Sequence, residues 1–600
     1  MLIGPVFSRE AVTAPRRARF YISRAAYVGT LLVLVCTAWL LLAGTQVIRN
    51  VGDMARFGAT LFQILAPLQL AIAIFFSALL AASGVTQEKD RRTLVLLLLT
   101  NLTNSELVLG KLLASLLNVL VLLSAGLPLF MLSALFGGVS FGQISRVFAV
   151  TLATAVAAGS MGSILALWRE KTFQTLALTV LALVFWLTAG EAIAQGALGS
   201  EWLGTSTSVW ATGFSPWQAI LAATRPLLDT QNLLPYVGDA VNVFLLFALA
   251  LVLLINAIAI LLVRVWNPSR EARASIGETA EPETIWGLTE ESAAALRKQA
   301  ASSVHSAGGK TREVWDNPII WREISTWAYG RKVLAIRVAY LVLVGLAALA
   351  LHGLIHGEQG LSNAMAALIL VPLFVLSLVL VNAQAVTSLT TERDVKALDL
   401  LLVTDLTPKE FVFGKLGGVL YNTKEMVLLP MALCAYLWFE RVVGGENLLY
   451  LLGGLAVMNS FVAMLGLHAG MSYGNSRTAI GVSLGTVFFL FIGIATCMRM
   501  MIAFSGSFHW QIQPFLAFML GGGVGLYAAL GSRNPSLAIG LASVFCPIAT
   551  FWAITSFLLQ YTLGVFLVTV GMYGFATAAM LVPAIFEFDV ATGRTTGGDE

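Results

Sequence analysis

TQEKDRRTLVLLLLTNLTNSELVLGKL, residues 86–112, recurs without a gap as TTERDVKALDLLLVTDLTPKEFVFGKL, residues 390–416, with 15 of 27 aligned residues identical. Leu and Val recur by chance in any apolar sequence. Chance does not hold Glu88 against Glu392, Asp90 against Asp394, Glu106 against Glu410 and Lys111 against Lys415 in a single register. The chain is therefore one module written twice. The repeat reaches beyond this segment: GPVFSRE (Gly4–Glu10) aligns with NPIIWRE (Asn317–Glu323), and the same offset of 313 pairs Arg24-Ala25-Ala26-Tyr27 with Arg337-Val338-Ala339-Tyr340. Phe214-Ser215-Pro216 and Phe545-Cys546-Pro547 stand ahead of the last span of each half.

With 58% apolar and 11% charged residues, and a mean hydropathy of +0.84, the chain departs from soluble domains, whose charged share is about 25%. Apolar runs of about 20 residues, enough to cross a bilayer core, lie near Val28–Ile48, Leu61–Ser83, Leu107–Phe136, Val147–Leu167, Phe173–Ala194 and Val241–Val263. The second half repeats them near Val333–Leu351, Ala364–Val386, Phe411–Phe439, Leu448–Met471, Ala479–Met501 and Tyr561–Phe586. The expected fold is an all-α polytopic membrane protein of about 12 spans, as two parallel six-span repeats. The interval Thr478–Pro547 is longer than its counterpart Thr172–Pro216, so residues 505–557 leave room for a further hairpin, giving 14 spans, or for re-entrant segments. The domain reading is a first module at 1–265, a polar linker at 266–312 with a short helix near Glu290–Ala300, and a second module at 313–600.

Charge sets the expected orientation. Arg9, Arg16, Arg17, Arg19 and Arg24 precede the first span, Arg169/Lys171, Arg393/Lys396 and Arg477 fall in alternate short loops, and Glu201, Asp229 and Asp239 fall in an opposing one. The positive-inside rule makes the basic segments cytoplasmic, with both termini inside a cell (inner) membrane. An even number of spans per half gives parallel repeats and disfavours the inverted repeats common in secondary transporters. The four cysteines lie singly without metal or redox spacing.

Within the repeated segment, Glu88 with Arg92 and Glu392 with Lys396 are acid-before-base pairs at i,i+4, a spacing that supports a helix by about 0.2–0.5 kcal/mol. A new helix start follows in each copy, Thr103-x-x-Glu106 and Thr407-x-x-Glu410, both capping boxes, with Pro408 at the first helical position. The reading is a short amphipathic helix, 86–101 or 390–405, joined by an elbow to a long span that begins at Gly110-Lys111 or Gly414-Lys415. Such a piece converts a push from the cytoplasm into a tilt of the span.

The chain here resembles the permease subunits of type 2 ABC exporters, in particular the group associated with multi-copper enzyme maturation and gliding motility. The residues that carry the likeness are Glu88…Arg92-Thr93-Leu94…Glu106…Gly110-Lys111 and Asn317-Pro318-x-x-x-Arg322-Glu323. Gly4 in place of Asn at the first opening, and Val395 and Ala397 in the second copy, depart from the family pattern. The resemblance implies a separate ABC ATPase dimer bound on the short helices, with Glu88, Asp90, Arg92, Glu106, Gly110, Lys111, Glu392, Asp394, Lys396, Glu410, Gly414 and Lys415 as the coupling residues. It implies that the tandem repeat supplies in one chain the two halves that other members assemble from two. Partners are then the ATPase and the lipid bilayer, with no nucleic acid and no cofactor bound by this chain.

No catalytic chemistry competes with this reading. Gly308–Thr311 (GGKT) has the tail of a P-loop, but Val304 stands where the first glycine belongs, and both GK sequences continue with Leu. His352 and His356, at i,i+4, read as an interfacial pair, since zinc sites take three or four protein ligands. Lys424 and Glu425, two to three turns into the ninth span, read either as charges lining a pathway or as residues that snorkel to the interface. A non-transporting membrane scaffold and a multi-span enzyme are the rival readings; the second lacks a cluster of His, Asp or Glu at one membrane face.

Overall fold

In hydrocarbon a backbone amide has no water to bond, so long apolar runs close their own hydrogen bonds as helices. The computed structural model describes residues 4–16, 18–45, 50–196, 199, 201–202, 205–226, 238–267, 314–325, 333–357, 361–503, 508–531, 535–558, 561–586 and 588. The expected linker, beyond Asn267, and its helix near Glu290–Ala300 lie outside these residues. The first module contains α1 (Pro5–Thr13), α2 (Ala18–Thr45), α3 (Val51–Asp90), α4 (Thr93–Leu98), α5 (Asn104–Leu135), α6 (Phe141–Trp168), α7 (Thr172–Ala194), α8 (Thr207–Phe214), α9 (Pro216–Thr224) and α10 (Ala240–Trp266). The second contains α11 (Pro318–Ser325), α12 (Val333–Ile355), α13 (Asn363–Asp394), α14 (Ala397–Leu402), α15 (Pro408–Asn422), α16 (Lys424–Phe439), α17 (Gly445–Ser472), α18 (Ser476–Ala503), α19 (Phe508–Leu530), α20 (Leu537–Leu558) and α21 (Thr562–Phe586). Apart from one pairing of two-residue strands, Glu201–Trp202 with Thr205–Ser206, the described chain is all-α.

Twelve described helices have the length and hydropathy of a membrane span. The number agrees with expectation, but one member differs. The expected ninth span, Phe411–Phe439, is broken at Thr423 into α15 and α16, and Leu537–Ser556 within α20 takes its place in the twelve. Lys424 and Glu425 open α16 after the break, and within α16 Pro430 cannot donate to the Met426 carbonyl four residues back. Tyr340 and Ser377 hydroxyls donate to that carbonyl instead, at 3.1 and 2.6 Å.

The length difference between the halves resolves into two kinds of hairpin. In the first module α8 and α9 have 8 and 9 residues, too short to cross, and Phe214-Ser215-Pro216 is the turn between them rather than a lead into the sixth span. The counterpart in the second module is the α19–α20 pair, of 23 and 22 residues, with Phe545-Cys546-Pro547 inside α20. The end of α19 reaches the last turns of α17, where Tyr473 Oη donates to the Ala529 carbonyl at 2.8 Å and His468 Nε2 meets the Leu530 carbonyl at 2.9 Å. Of this hairpin, Leu537–Ser556 is one of the twelve candidate spans, and Met519–Leu530 is a shorter apolar helix.

Each module is centred on a crossing of its second and fourth spans, where glycine is required. A Cβ at Gly162 of α6 would lie 2.7 Å from the Ala78 carbonyl oxygen of α3, and one at Gly466 of α17, 304 residues on, would lie 2.5 Å from Ala385 Cβ of α13. The modules meet along the second and fifth spans. Leu79, Phe173 and Leu181 pack with Leu376, Leu380, Ile480 and Leu484, and the Phe75 and Phe488 rings stack at 4.3 Å. Both copies of the repeated segment sit at the same end of this seam, because Arg91 Nε reaches Asp394 Oδ1 at 3.1 Å. The repeats thus run parallel.

Candidate functional site

The repeated segment folds the same way twice, though not as the i,i+4 spacing suggests. α3 ends at Asp90 and α13 at Asp394, and each chain then turns through a left-handed residue, Arg92 (φ 59°) or Lys396 (φ 60°), into a six-residue helix. Glu88 and Arg92, like Glu392 and Lys396, thus lie on opposite sides of a corner and form no intrahelical pair. The short helix is α4 or α14, starting after the charges.

The acids of the expected pairs have stronger partners. Glu88 forms an ion pair with Lys111 of α5. In the second copy Lys415 Nζ lies 2.7 Å from both Glu392 and Glu323, and Arg322 bonds the same two carboxylates. Burial works against the Arg322 charge, but Glu392 and Glu323 overcome it and hold its pKa above the ordinary value. The ion pairs tie the end of the second span to the start of the third, which explains why these charges keep register.

The neighbouring basic residue closes the fourth span. Lys89 Nζ donates to the Leu167 and Arg169 carbonyls, the latter at 2.9 Å, and Arg393, its counterpart, donates to those of Gly470, Met471 and Tyr473. A cation there satisfies orphan carbonyls and complements the helix dipole. The third charge behaves differently in the two copies. Asp90 accepts the Thr172 hydroxyl of the fifth span within its own module, whereas Asp394 accepts Arg91 from the other. Val395 occupies the position of Arg91, so this bridge between modules is not repeated. Gln87 Nε2 to Asn475 Oδ1 at 3.2 Å and Arg477 to the Leu80 carbonyl at 3.2 Å add to the seam.

Both capping boxes form. Glu106 Oε2 accepts the Thr103 N–H at 3.0 Å while Thr103 Oγ1 accepts the Glu106 N–H, and Thr407 with Glu410 repeats the exchange. The helix after each cap is overlaid by α1 or α11. Gly414 and Gly418 make that contact close: Cβ atoms there would lie 2.7 Å from Ile319 Cβ and 2.6 Å from Glu323 Cβ. Gly110 is the looser equivalent of Gly414, with Val6 Cβ at 3.5 Å. Asn317 caps α11 and donates to the Glu410 carbonyl at 2.9 Å. Gly4, at its place in the first opening, has no side chain to do either, and the space beside it holds Glu106.

Lys424 and Glu425 sit at the break in the ninth span. The Lys424 ammonium lies 4.1 Å over the Tyr421 ring and Glu425 lies 3.5 Å from Arg337. Each therefore has a local partner. The elbows expose polar residues, among them Arg92, Thr93, Thr100, Asn101, Lys396, Thr404 and Asp405, and beside them a set of apolar ones. Leu96 is 64% and Leu400 74% exposed, in register, followed by exposed Leu99 and Val403, while Leu94 and Leu398 are buried beneath.

Fold and site together define a polytopic α-helical membrane protein with two parallel modules and a matching elbow on each. No family model, curated protein or solved structure matches the chain. Sequence reading missed four groups here: Glu323 with Arg322, Lys89/Arg393, Arg91, and the leucine tip. Two had a signal, the positive charge kept at 89/393 and the identity kept at 96/400.

Proposed function

We propose that this chain is the transmembrane permease subunit of an ATP-driven ABC exporter, energised by a separate ATPase dimer on the cytoplasmic side. One observation carries the reading: each elbow continues the second span of its module, braced by the Glu–Lys pair, and each second span packs on the fifth span of the opposite module to form the seam. A force on α4 or α14 is passed through the Glu–Lys pairs and the capped start of the third span, so it moves the seam. The exposed Leu96/Leu99 and Leu400/Val403 supply the contact area, and the charges stiffen the lever behind it.

Two further features fit. Gln69 of α3 and Gln384 of α13 are fully buried, and their amides find no hydrogen-bond partner in this packing. Burying an amide unpaired costs about 1–3 kcal/mol, a cost relieved when the second spans separate and admit water or substrate. Polar side chains at membrane depth commonly mark a transport path. The rival, a non-transporting scaffold, is favoured by the internal use of nearly all the register-preserved charges.

Affinity purification of the chain from its native membrane distinguishes the two. Co-purification with ATPase activity is expected for the parent. Leu96→Glu combined with Leu400→Glu should remove the ATPase while membrane insertion and thermal unfolding stay unchanged. A parent chain that brings down no Walker-motif ATPase leaves the scaffold as the better reading.

A further inference from the structure

The end of the molecule remote from the elbows holds a group that the transport reading does not use. His352, in the last turn of α12, and His356, four residues on, are both exposed, and their ring centroids lie 4.2 Å apart. His356 Nδ1 lies 3.1 Å from the His352 carbonyl oxygen, which only accepts, so Nδ1 carries the proton and Nε2 keeps its lone pair. His352 Nδ1 lies 2.7 Å from Tyr436 Oη on α16. In the tautomer that donates Nδ1–H to this hydroxyl, His352 matches His356, and two unprotonated Nε2 atoms sit one turn apart on one helix.

We propose that His352 and His356 bind a divalent transition-metal ion of the zinc and nickel class through their Nε2 atoms. Metal-ligating imidazoles characteristically donate their other N–H to a carbonyl or to a carboxylate relay, which fixes ring orientation and raises basicity. Here one ring has the carbonyl and the other the Tyr436 hydroxyl. Nitrogen ligands about 2.0–2.1 Å from one ion are within reach of neighbouring imidazoles one helical turn apart. The position at the C-terminal end of α12 adds the negative end of the helix dipole. Among the described residues no set of three or more His, Cys, Asp or Glu gathers to hold a metal. The ion would keep open positions for water or for a donor on another molecule, and would exchange readily. Through Tyr436 it would couple α12 to α16.

The test is calorimetric titration of the full chain in detergent, stripped by chelator, with Ni2+ and Zn2+ at neutral pH. One saturable ion per chain is expected, lost in His352→Ala and in His356→Ala. Tyr436→Phe, which keeps both ligands, should weaken it by about 10–100-fold with thermal unfolding unchanged. Absence of saturable binding, survival of binding in both alanine variants, or full affinity in Tyr436→Phe would each overturn the proposal.

Discussion

The two copies of the Glu–Lys pair differ in burial, and that difference predicts unequal effects from one substitution. Lys415 is 1% exposed and its partners Glu323 and Glu392 are 2% and 18% exposed. Lys415→Met leaves the two carboxylates without their shared ammonium, with Arg322 still bonded to both. Removing one partner of a buried ion pair costs about 3–5 kcal/mol, because the stranded charge cannot rehydrate. Arg322 remains bonded to both acids, so the low end, about 3 kcal/mol, is expected. Lys111→Met breaks a pair whose acid, Glu88, is 36% exposed. That carboxylate regains water, and the expected loss is about 1 kcal/mol or less. The gap of about 2 kcal/mol is roughly a 30-fold difference in the unfolding equilibrium. Unfolding in mixed detergent and SDS micelles, followed by tryptophan fluorescence, measures it. Glu323→Gln in the Lys415→Met background should recover part of the loss. Equal effects of the two methionine variants, within about 0.5 kcal/mol, would refute the claim that burial decides the strength of these pairs.

Gly466→Ala should destabilise by about 1–3 kcal/mol through overpacking against Ala385, whereas Gly345→Ala, with nothing within 4 Å of its Cβ, should not, and the same unfolding assay compares them. Gln384→Leu should stabilise the closed packing by about 1–3 kcal/mol and lower ATPase-coupled turnover. Thr407 holds the Glu410 carboxyl below its usual range through its hydroxyl and its backbone N–H. The cap contribution is therefore complete above the ordinary carboxylate pKa and is lost as pH falls through the depressed value; Glu410→Gln should remove that dependence in hydrogen exchange of residues 407–415. Asn101→Cys and Asp405→Cys should be labelled from the cytoplasm and Glu201→Cys from outside.

Composition and duplication made the fold class legible, because hydrocarbon permits so few backbone solutions. The capping boxes were legible because a cap is written in adjacent residues. What local periodicity could not show was competition. Glu88 has Arg92 within one turn of sequence and Lys111 within reach in space, and the second partner wins because it ties two spans together. The left-handed turn at Arg92 and Lys396 is likewise invisible to i,i+4 counting, since neither is Gly or Asn. The ninth span was misread because Lys424, Glu425 and Pro430 sit in a run whose mean hydropathy is high. Only the partners Tyr340 and Ser377 show how the carbonyl freed by Pro430 is satisfied. Glu323 stood in a quoted motif, but nothing local connects it with a lysine 92 residues away.

The bridge from Arg91 to Asp394 exists once. Two identical subunits around a dyad would make every such contact twice, and each substitution would be felt twice. Joined in a single polypeptide, the copies have been free to diverge, and Val395 and Gly4 mark where they did. The bridge engages the two elbows differently: the second gives its aspartate to it, while the first gives Arg91 and keeps its own aspartate within its module. Under the proposed function, two ATPase subunits would meet levers of unequal stiffness, and the strokes they deliver need not be interchangeable.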